Sequence, residues 1–198
     1  KMLNDLPEIK TLQQLADYQD PSSSFSKVRK KHVTVLAKNA DGLKEVFELV
    51  SLSHVKYLAE LSKSGGTIVA EPRIPRSEIE KRRKNGNILI GSSCLNGDVF
   101  EIAQTRGDRY LKEVIDFYDY IEIQPLANYM QLVHRHAIDS VDRLKEILKS
   151  IVDVAKACGK IVVASGDVHY THPEQKRLRD IYICAQGVGG IHHPLYIF

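Results

Sequence analysis

The sequence has few cysteines and no long hydrophobic run. Its three cysteines, Cys94, Cys158 and Cys184, form no Cys-x-x-Cys pair and are odd in number, which is more typical of a reducing cytosol than of a disulfide-bonded secreted protein. No apolar stretch reaches the roughly 18 residues that a membrane span needs, and no secretory signal is present. We therefore expect a cytoplasmic protein with no membrane partner.

Several catalytic and nucleotide-binding signatures are absent as well. The chain has no Gly-x-Ser-x-Gly elbow, no Walker A loop and no Gly-x-Gly-x-x-Gly motif. Its 28 basic and 25 acidic residues leave a net charge of +3, which neither requires nor excludes a nucleic-acid partner. The hydrophobic residues, 43% of 198, are sufficient to fill the core of one domain.

From His32 onward, strand patterns alternate with helix patterns. The predicted strands cover residues 32–37, 87–93, 119–124 and 161–165. The predicted helices cover residues 41–58, 99–104, 108–118, 140–160 and about 173–185, and a short basic helix precedes the second strand. This alternation predicts an α/β fold in which helices cover a parallel sheet. Residues 1–31, rich in turn formers from Pro21 to Ser26, are predicted to be a linker that begins at a cut end.

Some helices carry clear signals for their buried face and their ends. In the helix at 41–58 the predicted core-facing stripe comprises Leu43, Val46, Phe47, Val50, His54 and Tyr57. Ser77 is predicted to cap the short basic helix. The helix at 140–160 is predicted to start after the N-cap Ser140 and to end at Gly159.

Asp167 and His169 follow the fourth predicted strand. In α/β folds, open or closed into a barrel, sites form beyond the carboxyl ends of the strands. Carboxylate and imidazole are both good ligands for zinc or manganese, and alternate residues of a short extended segment point to the same side. The alternative is a turn that Asp167 caps and in which His169 hydrogen-bonds to it.

Three further residues have two interpretations each. Cys94 follows the second strand and is either a small apolar core residue or a thiolate that meets Asp167 and His169. His32, at the entry of the first strand, is either structural or a ligand. Glu122, in the third strand, either points into the mouth of a barrel or lies on a solvated face.

A basic run covers residues 73–84. Its Lys and Arg side chains are suited to phosphate contacts, and the candidate nucleic-acid-binding residues are Arg73, Arg76, Arg82 and Arg83. Because no aromatic residues are interleaved with them, a solvated helix face is the favoured interpretation.

Five segments together resemble a known family. They are HVTVLAKNADGLKEVFELVSLSH, EPRIPRSEIEK, LIGSSCLNGDVFE, FYDYIEIQP and VVASGDVHYTHPEQKRLRDIYICAQG. They occur in the order found in the PHP (polymerase and histidinol phosphatase) domain of the PolC-type DNA polymerase III α subunit of low-GC Gram-positive bacteria. The resemblance covers roughly residues 30 to 196, and the ending GGIHHPLY resembles the mollicute form.

The resemblance implies a fold and a metal site. Residues 32–198 would be the C-terminal part of the PHP domain, the later portion of a distorted seven-stranded (β/α) barrel, and residues 1–31 would follow an exonuclease insertion that this chain lacks. The family's metal positions correspond here to His32, Cys94, Asp167 and His169, which would bind zinc or manganese. Since no His-x-His motif is present, the implied metal site is incomplete in this chain.

The resemblance also implies a function and partners. The chain would be a fragment of a replicative DNA polymerase, a nucleotidyltransferase that uses Mg²⁺, and this part would be an inactive scaffold. The alternative is a metal-dependent phosphoesterase or a 3′–5′ exonuclease-like hydrolase. The implied partners are DNA, the remaining PHP half, the exonuclease and polymerase domains and the replication machinery. An incomplete barrel would also have an open sheet edge, which predicts a homodimer.

Overall fold

The computed structural model describes residues 2–3, 30–62 and 68–185; of residues 2–3, 59–62 and 68–69 it describes the backbone alone. Within these ranges the strands are β1 (Met2–Leu3), β2 (Lys30–Lys31), β3 (Thr34–Ala37), β4 (Leu58–Ser62), β5 (Ile68–Pro72), β6 (Ile74–Pro75), β7 (Ile88–Gly91), β8 (Tyr120–Ile123) and β9 (Ile161–Ala164). The α-helices are α1 (Ala40–Val55), α2 (Arg76–Arg83), α3 (Asp98–Thr105), α4 (Asp108–Ile115), α5 (Met130–His134), α6 (Val141–Ala157) and α7 (Lys176–Ala185). Short 3-10 segments cover Leu126–Tyr129 and Pro173–Gln175.

The predicted alternation of strands and helices is confirmed. The predicted strands correspond to β3, β7, β8 and β9, and each predicted helix has its counterpart among α1 to α4, α6 and α7. The β4–β5 hairpin and α5 were not predicted. The segment predicted as a linker lies outside the described residues except near its two ends, which form β1 and β2 and pair with each other. Residues 186–198 also lie outside the described part.

The central sheet has the strand order β3-β7-β8-β9. Strands β7, β8 and β9 are parallel, as predicted, but β3 is antiparallel to β7, so the prediction of a wholly parallel sheet is wrong. The register pairs Ala37, at the end of β3, with Ile88, at the start of β7. The connection between these strands contains the helices α1 and α2. It begins and ends at the same end of the sheet, whereas a connection between parallel strands would have to cross to the opposite end.

Helix α1 buries a different face from the one predicted, although Tyr57, which follows the helix, is buried as predicted. Leu49 is 6% exposed, whereas Phe47, from the predicted stripe, is 62% exposed, and Leu43 and Val50 are exposed with it. The helix is apolar on several sides, so its periodicity allowed more than one buried face. The choice follows from Gly42, where an added Cβ would lie 2.1 Å from the carbonyl oxygen of Asn87. This close approach turns the Gly42 side of the helix toward the sheet.

The helix starts show one correct and one wrong prediction. Ser140 caps α6, because its Oγ accepts a hydrogen bond from the Arg143 N–H at 3.1 Å. Helix α2, however, starts at Arg76 after the extended Pro75, which makes no side-chain cap, so Ser77 lies inside the helix. Gly159 follows α6 with a φ of 70°, the left-handed conformation typical of a helix end.

Among the described residues, no helix combines the length and apolar character needed to cross a membrane.

Helices α1 and α6 pack on one face of the central sheet. Val35, Ile90, Ile121 and Val162 join the hydrophobic core on that face. On the opposite face Leu36, Ile161 and Val163 are exposed. The described part of the chain therefore forms an open four-stranded α/β sheet rather than a closed barrel.

Candidate metal centre

The residues predicted as metal ligands lie at one end of the strands of the central sheet. His32 precedes β3, Cys94 follows β7, and Asp167 and His169 follow β9. Because β3 is antiparallel to β7, the start of β3 lies at the same end of the sheet as the carboxyl ends of the parallel strands. All four side chains line one pocket of about 750 Å³. The reversed direction of β3 is therefore what brings His32 to this pocket.

His32 and Cys94 form a contact pair. The His32 Nδ1 lies 3.3 Å from the Cys94 Sγ, and the His32 backbone N–H donates to the Asn96 carbonyl at 3.1 Å. Ser93, the residue before the cysteine, has a φ of 61°, an uncommon conformation for a residue other than glycine. Cys94 is half-buried at the pocket wall, so it is not a core residue.

The loop after β9 carries the Asp-x-His motif. Asp167 has a φ of 49°, and the His169 Nδ1 lies 2.6 Å from the Asp167 carbonyl oxygen. Because a carbonyl only accepts, Nδ1 carries the hydrogen, and in a neutral imidazole Nε2 then carries the lone pair that a metal needs. The Asn128 Nδ2 donates to the Gly166 carbonyl at 3.3 Å and holds the start of this loop. The turn interpretation and a ligand role for Nε2 are thus compatible.

The donor chemistry of the pocket fits zinc or manganese, but the geometry fits only in part. A thiol, two imidazoles and a carboxylate are all ligand types that zinc accepts. Asp167 Oδ1 and His169 Nδ1 are 4.0 Å apart. In the described part of the chain, no three His, Cys, Asp or Glu side chains are close enough to hold one ion. The pocket therefore contains two donor pairs rather than a complete coordination sphere.

Tyr129 is a residue of this region that the sequence did not reveal. It is buried in the 3-10 segment before α5, its ring stacks on Phe100 with centroids 4.9 Å apart, and its hydroxyl accepts from the Gln124 N–H at 3.4 Å. Burial is the main reason that its pKa is raised to about 12, and the negative charges of Cys94, Asp167 and Glu122 also raise it. Ionisation of the Tyr129 hydroxyl is thus disfavoured both by burial and by the acidic groups of the region.

Glu122 lies on β8, between the strands that lead into the loops carrying Cys94 and Asp167. Its backbone N–H donates to the Ser92 Oγ at 2.8 Å, and its Oε2 accepts from the Ser165 Oγ at 3.2 Å. Glu122 is half-buried, so it does not lie on a fully solvated face; that it points into the mouth of a barrel stays a prediction.

The four candidate nucleic-acid-binding arginines all make contacts within the protein. Their ion pairs are Arg73–Glu71, Arg76–Glu80, Arg82–Glu78 and Arg83–Asp119. Arg73 is 1% exposed and so does not present its guanidinium to solvent. The other three side chains are partly exposed, and their role in nucleic-acid binding stays a prediction.

Comparison with known proteins gives a consistent result. No family model matches the sequence. The chain is 36% identical over 190 residues to DNA polymerase III PolC-type of Listeria monocytogenes, and 38% identical over 189 residues to that of Bacillus subtilis. It is 40% identical over 164 residues to that of Halalkalibacterium halodurans. The chain is similar to a segment of PolC-type DNA polymerase III.

These alignments cover most of this chain and a small part of each relative. The alignments with the Listeria monocytogenes and Bacillus subtilis proteins each cover 94% of the chain, and the alignment with the Halalkalibacterium halodurans protein covers 83%. The chain spans 11–12% of the length of the relatives it matches.

Proposed function

We propose that this chain is a segment of a PolC-type replicative DNA polymerase and that it forms the C-terminal part of its PHP domain. The observation that carries this proposal is the similarity at 36–40% identity to three proteins named DNA polymerase III PolC-type, across 83–94% of the chain. The whole protein would be a cytoplasmic nucleotidyltransferase that uses Mg²⁺ and acts with DNA and the replication machinery. Because the chain spans so little of its relatives, this segment by itself would be inactive.

The open sheet is consistent with part of a barrel. The face that carries Leu36, Ile161 and Val163 is uncovered in the described part of the chain, and β3 and β9 form its two edges. Apolar side chains and strand edges of this kind are normally buried or paired. We propose that the remaining PHP half covers this face and completes the seven-stranded (β/α) barrel.

The chain's own residues would hold a divalent metal at the pocket. His32 and Cys94 would supply one donor pair, and Asp167 and the Nε2 of His169 the other. A bound zinc or manganese ion would stabilise the fold, because the folded loops bind it and the unfolded chain does not. The segment would then act as a scaffold that joins the exonuclease and polymerase modules.

The metal content of the purified chain tests this proposal. We expect about one divalent ion per chain by elemental analysis, and its loss in Asp167→Ala and His169→Ala, because each removes one donor. His54→Ala is the matched control, since His54 is exposed on α1 and its Nδ1 contacts the Val50 carbonyl. A wild type without bound metal, or variants that retain it, would contradict the metal site.

One observation favours a second candidate function, a metal-dependent phosphoesterase. Arg135 and Arg179 line the same pocket as the predicted ligands. Guanidinium groups match the geometry of phosphate oxygens, and a divalent ion activates water for attack on phosphorus. Metal-dependent hydrolysis of a phosphoester by the wild type, but not by Asp167→Ala, would distinguish this function from a scaffold.

A further inference from the structure

The position of Glu122 connects the two halves of the candidate site. It lies on β8, the strand between β7 and β9. Its backbone N–H bonds to Ser92 and its Oε2 to Ser165. Each of these serines stands two residues before a predicted ligand, Cys94 in one loop and Asp167 in the other. One residue thus anchors both ligand-bearing loops to the sheet edge.

The carboxylate of Glu122 has few donors for its charge. The Tyr120 hydroxyl is a hydrogen-bonding neighbour of the side chain, and Oε1, which is buried, makes no hydrogen bond of standard geometry within the part of the chain that the structure describes. A buried carboxylate is stabilised by additional donors or by a cation. A divalent ion in the pocket would therefore be a favourable partner for this charge.

The charge of Glu122 extends to the candidate site. The pKa of Tyr129 is raised mainly by burial, and Glu122, Cys94 and Asp167 all contribute their negative charges to the same hydroxyl. The pKa of Tyr120 is likewise raised to about 12, first by burial and then by the charge of Glu122 and the hydrogen bond with that carboxylate. Glu122 thus shares its electrostatic surroundings with two of the predicted ligands.

We propose that Glu122 is a further acidic positioning residue of the metal centre, which anchors the Cys94 and Asp167 loops through Ser92 and Ser165 and supplies a buried negative charge that favours a divalent cation in the pocket. The inference rests on the proposed metal site. Glu122 acts through the loops and through its charge, so the predicted ligands remain His32, Cys94, Asp167 and His169.

The substitution Glu122→Gln removes the negative charge of the side chain and keeps its size. The amide has the size of the carboxylate, its oxygen can still accept from Ser165, and the backbone bond to Ser92 is unaffected. We expect the dissociation constant for Mn²⁺ or Zn²⁺, each titrated alone by calorimetry against the full chain, to rise about 10- to 100-fold. Ser165→Ala should weaken binding in the same direction, since it releases one anchor of the loop.

Thermal unfolding gives a readout that a purely structural role would not produce. Without metal, Glu122→Gln should leave the Tm unchanged or raise it, because the variant removes a partly buried charge and can still accept hydrogen bonds. The rise in Tm on adding Mn²⁺ or Zn²⁺ should be smaller than in the wild type. Glu146→Gln, at an exposed position on α6, is the matched control and should change neither quantity.

The outcomes distinguish this inference from the function on which it rests. A wild type that binds neither ion overturns the metal site and, with it, the role of Glu122. A wild type that binds metal, with an unchanged dissociation constant in Glu122→Gln, overturns the role of Glu122 alone. A lower metal-free Tm together with unchanged metal affinity would also overturn it, because the carboxylate would then serve the fold alone through its hydrogen bonds to Ser165 and Tyr120.

Discussion

At the scale of single residues, steric contact fixes how α1 meets the sheet. Gly42 lies against the chain that enters β7, and an added Cβ would be 2.1 Å from the Asn87 carbonyl oxygen and 3.3 Å from the Ala37 Cα. These are backbone atoms, which cannot move aside as the end of a flexible side chain can. The helix preference of alanine is therefore opposed by a clash at this position.

We expect Gly42→Ala to destabilise the chain by about 1–3 kcal/mol. Urea unfolding followed by circular dichroism measures the change. Ser51→Ala, at an exposed position of the same helix, is the control and should stay within about 0.5 kcal/mol of the wild type. Equal stability of the two variants would mean that α1 does not approach Asn87 as closely as the structure places it.

The metal-site residues show how far residue types alone can predict a site. Asp167, His169 and Cys94 were identified because they follow strands, and the structure brings them to one pocket with His32. Tyr129 escaped notice because the segment 126–134 has no clear periodicity, and its hydroxyl reaches the site only through folding. Whether these residues bind a metal stays a prediction.

At the scale of elements, α6 and α1 behave differently. Helix α6 has one apolar stripe, which contains its buried residues Leu144, Ile147, Ile151 and Ala155. Helix α1 has apolar residues on several sides, so its pattern allowed more than one buried face. Packing against the sheet buries the face of α1 that carries Gly42 and Leu49.

Two substitutions on α1 test which face is buried. Leu49→Ala should cost about 2–5 kcal/mol, because it leaves a cavity in the core. Phe47→Ala should change stability by no more than about 0.5 kcal/mol, since that side chain is exposed. Urea unfolding of both variants is the measurement, and the reverse order of the two effects would favour the stripe predicted from the sequence.

At the scale of the whole molecule, the open sheet is the main consequence of the topology. Helices α1 and α6 cover one face, and within the described residues the other face and the two edge strands are left for another structure to cover. In the parent polymerase we propose that the remaining PHP half does so. In the isolated chain a second copy is the available partner, which is the predicted homodimer.

We expect the isolated chain to sediment as a dimer at high concentration and to dissociate on dilution. Ile161→Lys, on the edge strand β9, should shift it to the mass of a single chain, because a charged side chain on an edge strand opposes pairing. Val50→Lys, on the exposed face of α1, is the matched control and should leave the dimer intact. A monomer at every concentration, or a dimer that only Val50→Lys disrupts, would contradict pairing through the sheet.

The sequence by itself determined the local elements and the kinds of donor near the strand ends, because periodicity, caps and residue chemistry act over a few neighbouring positions. Only the tertiary structure decided the direction of β3 and the face of α1 that is buried. It also decided that Glu122 bonds to both Ser92 and Ser165. These features depend on pairing between segments that are far apart in the chain. The contact of His32 with Cys94, 62 positions away, depends on that pairing and not on any local pattern.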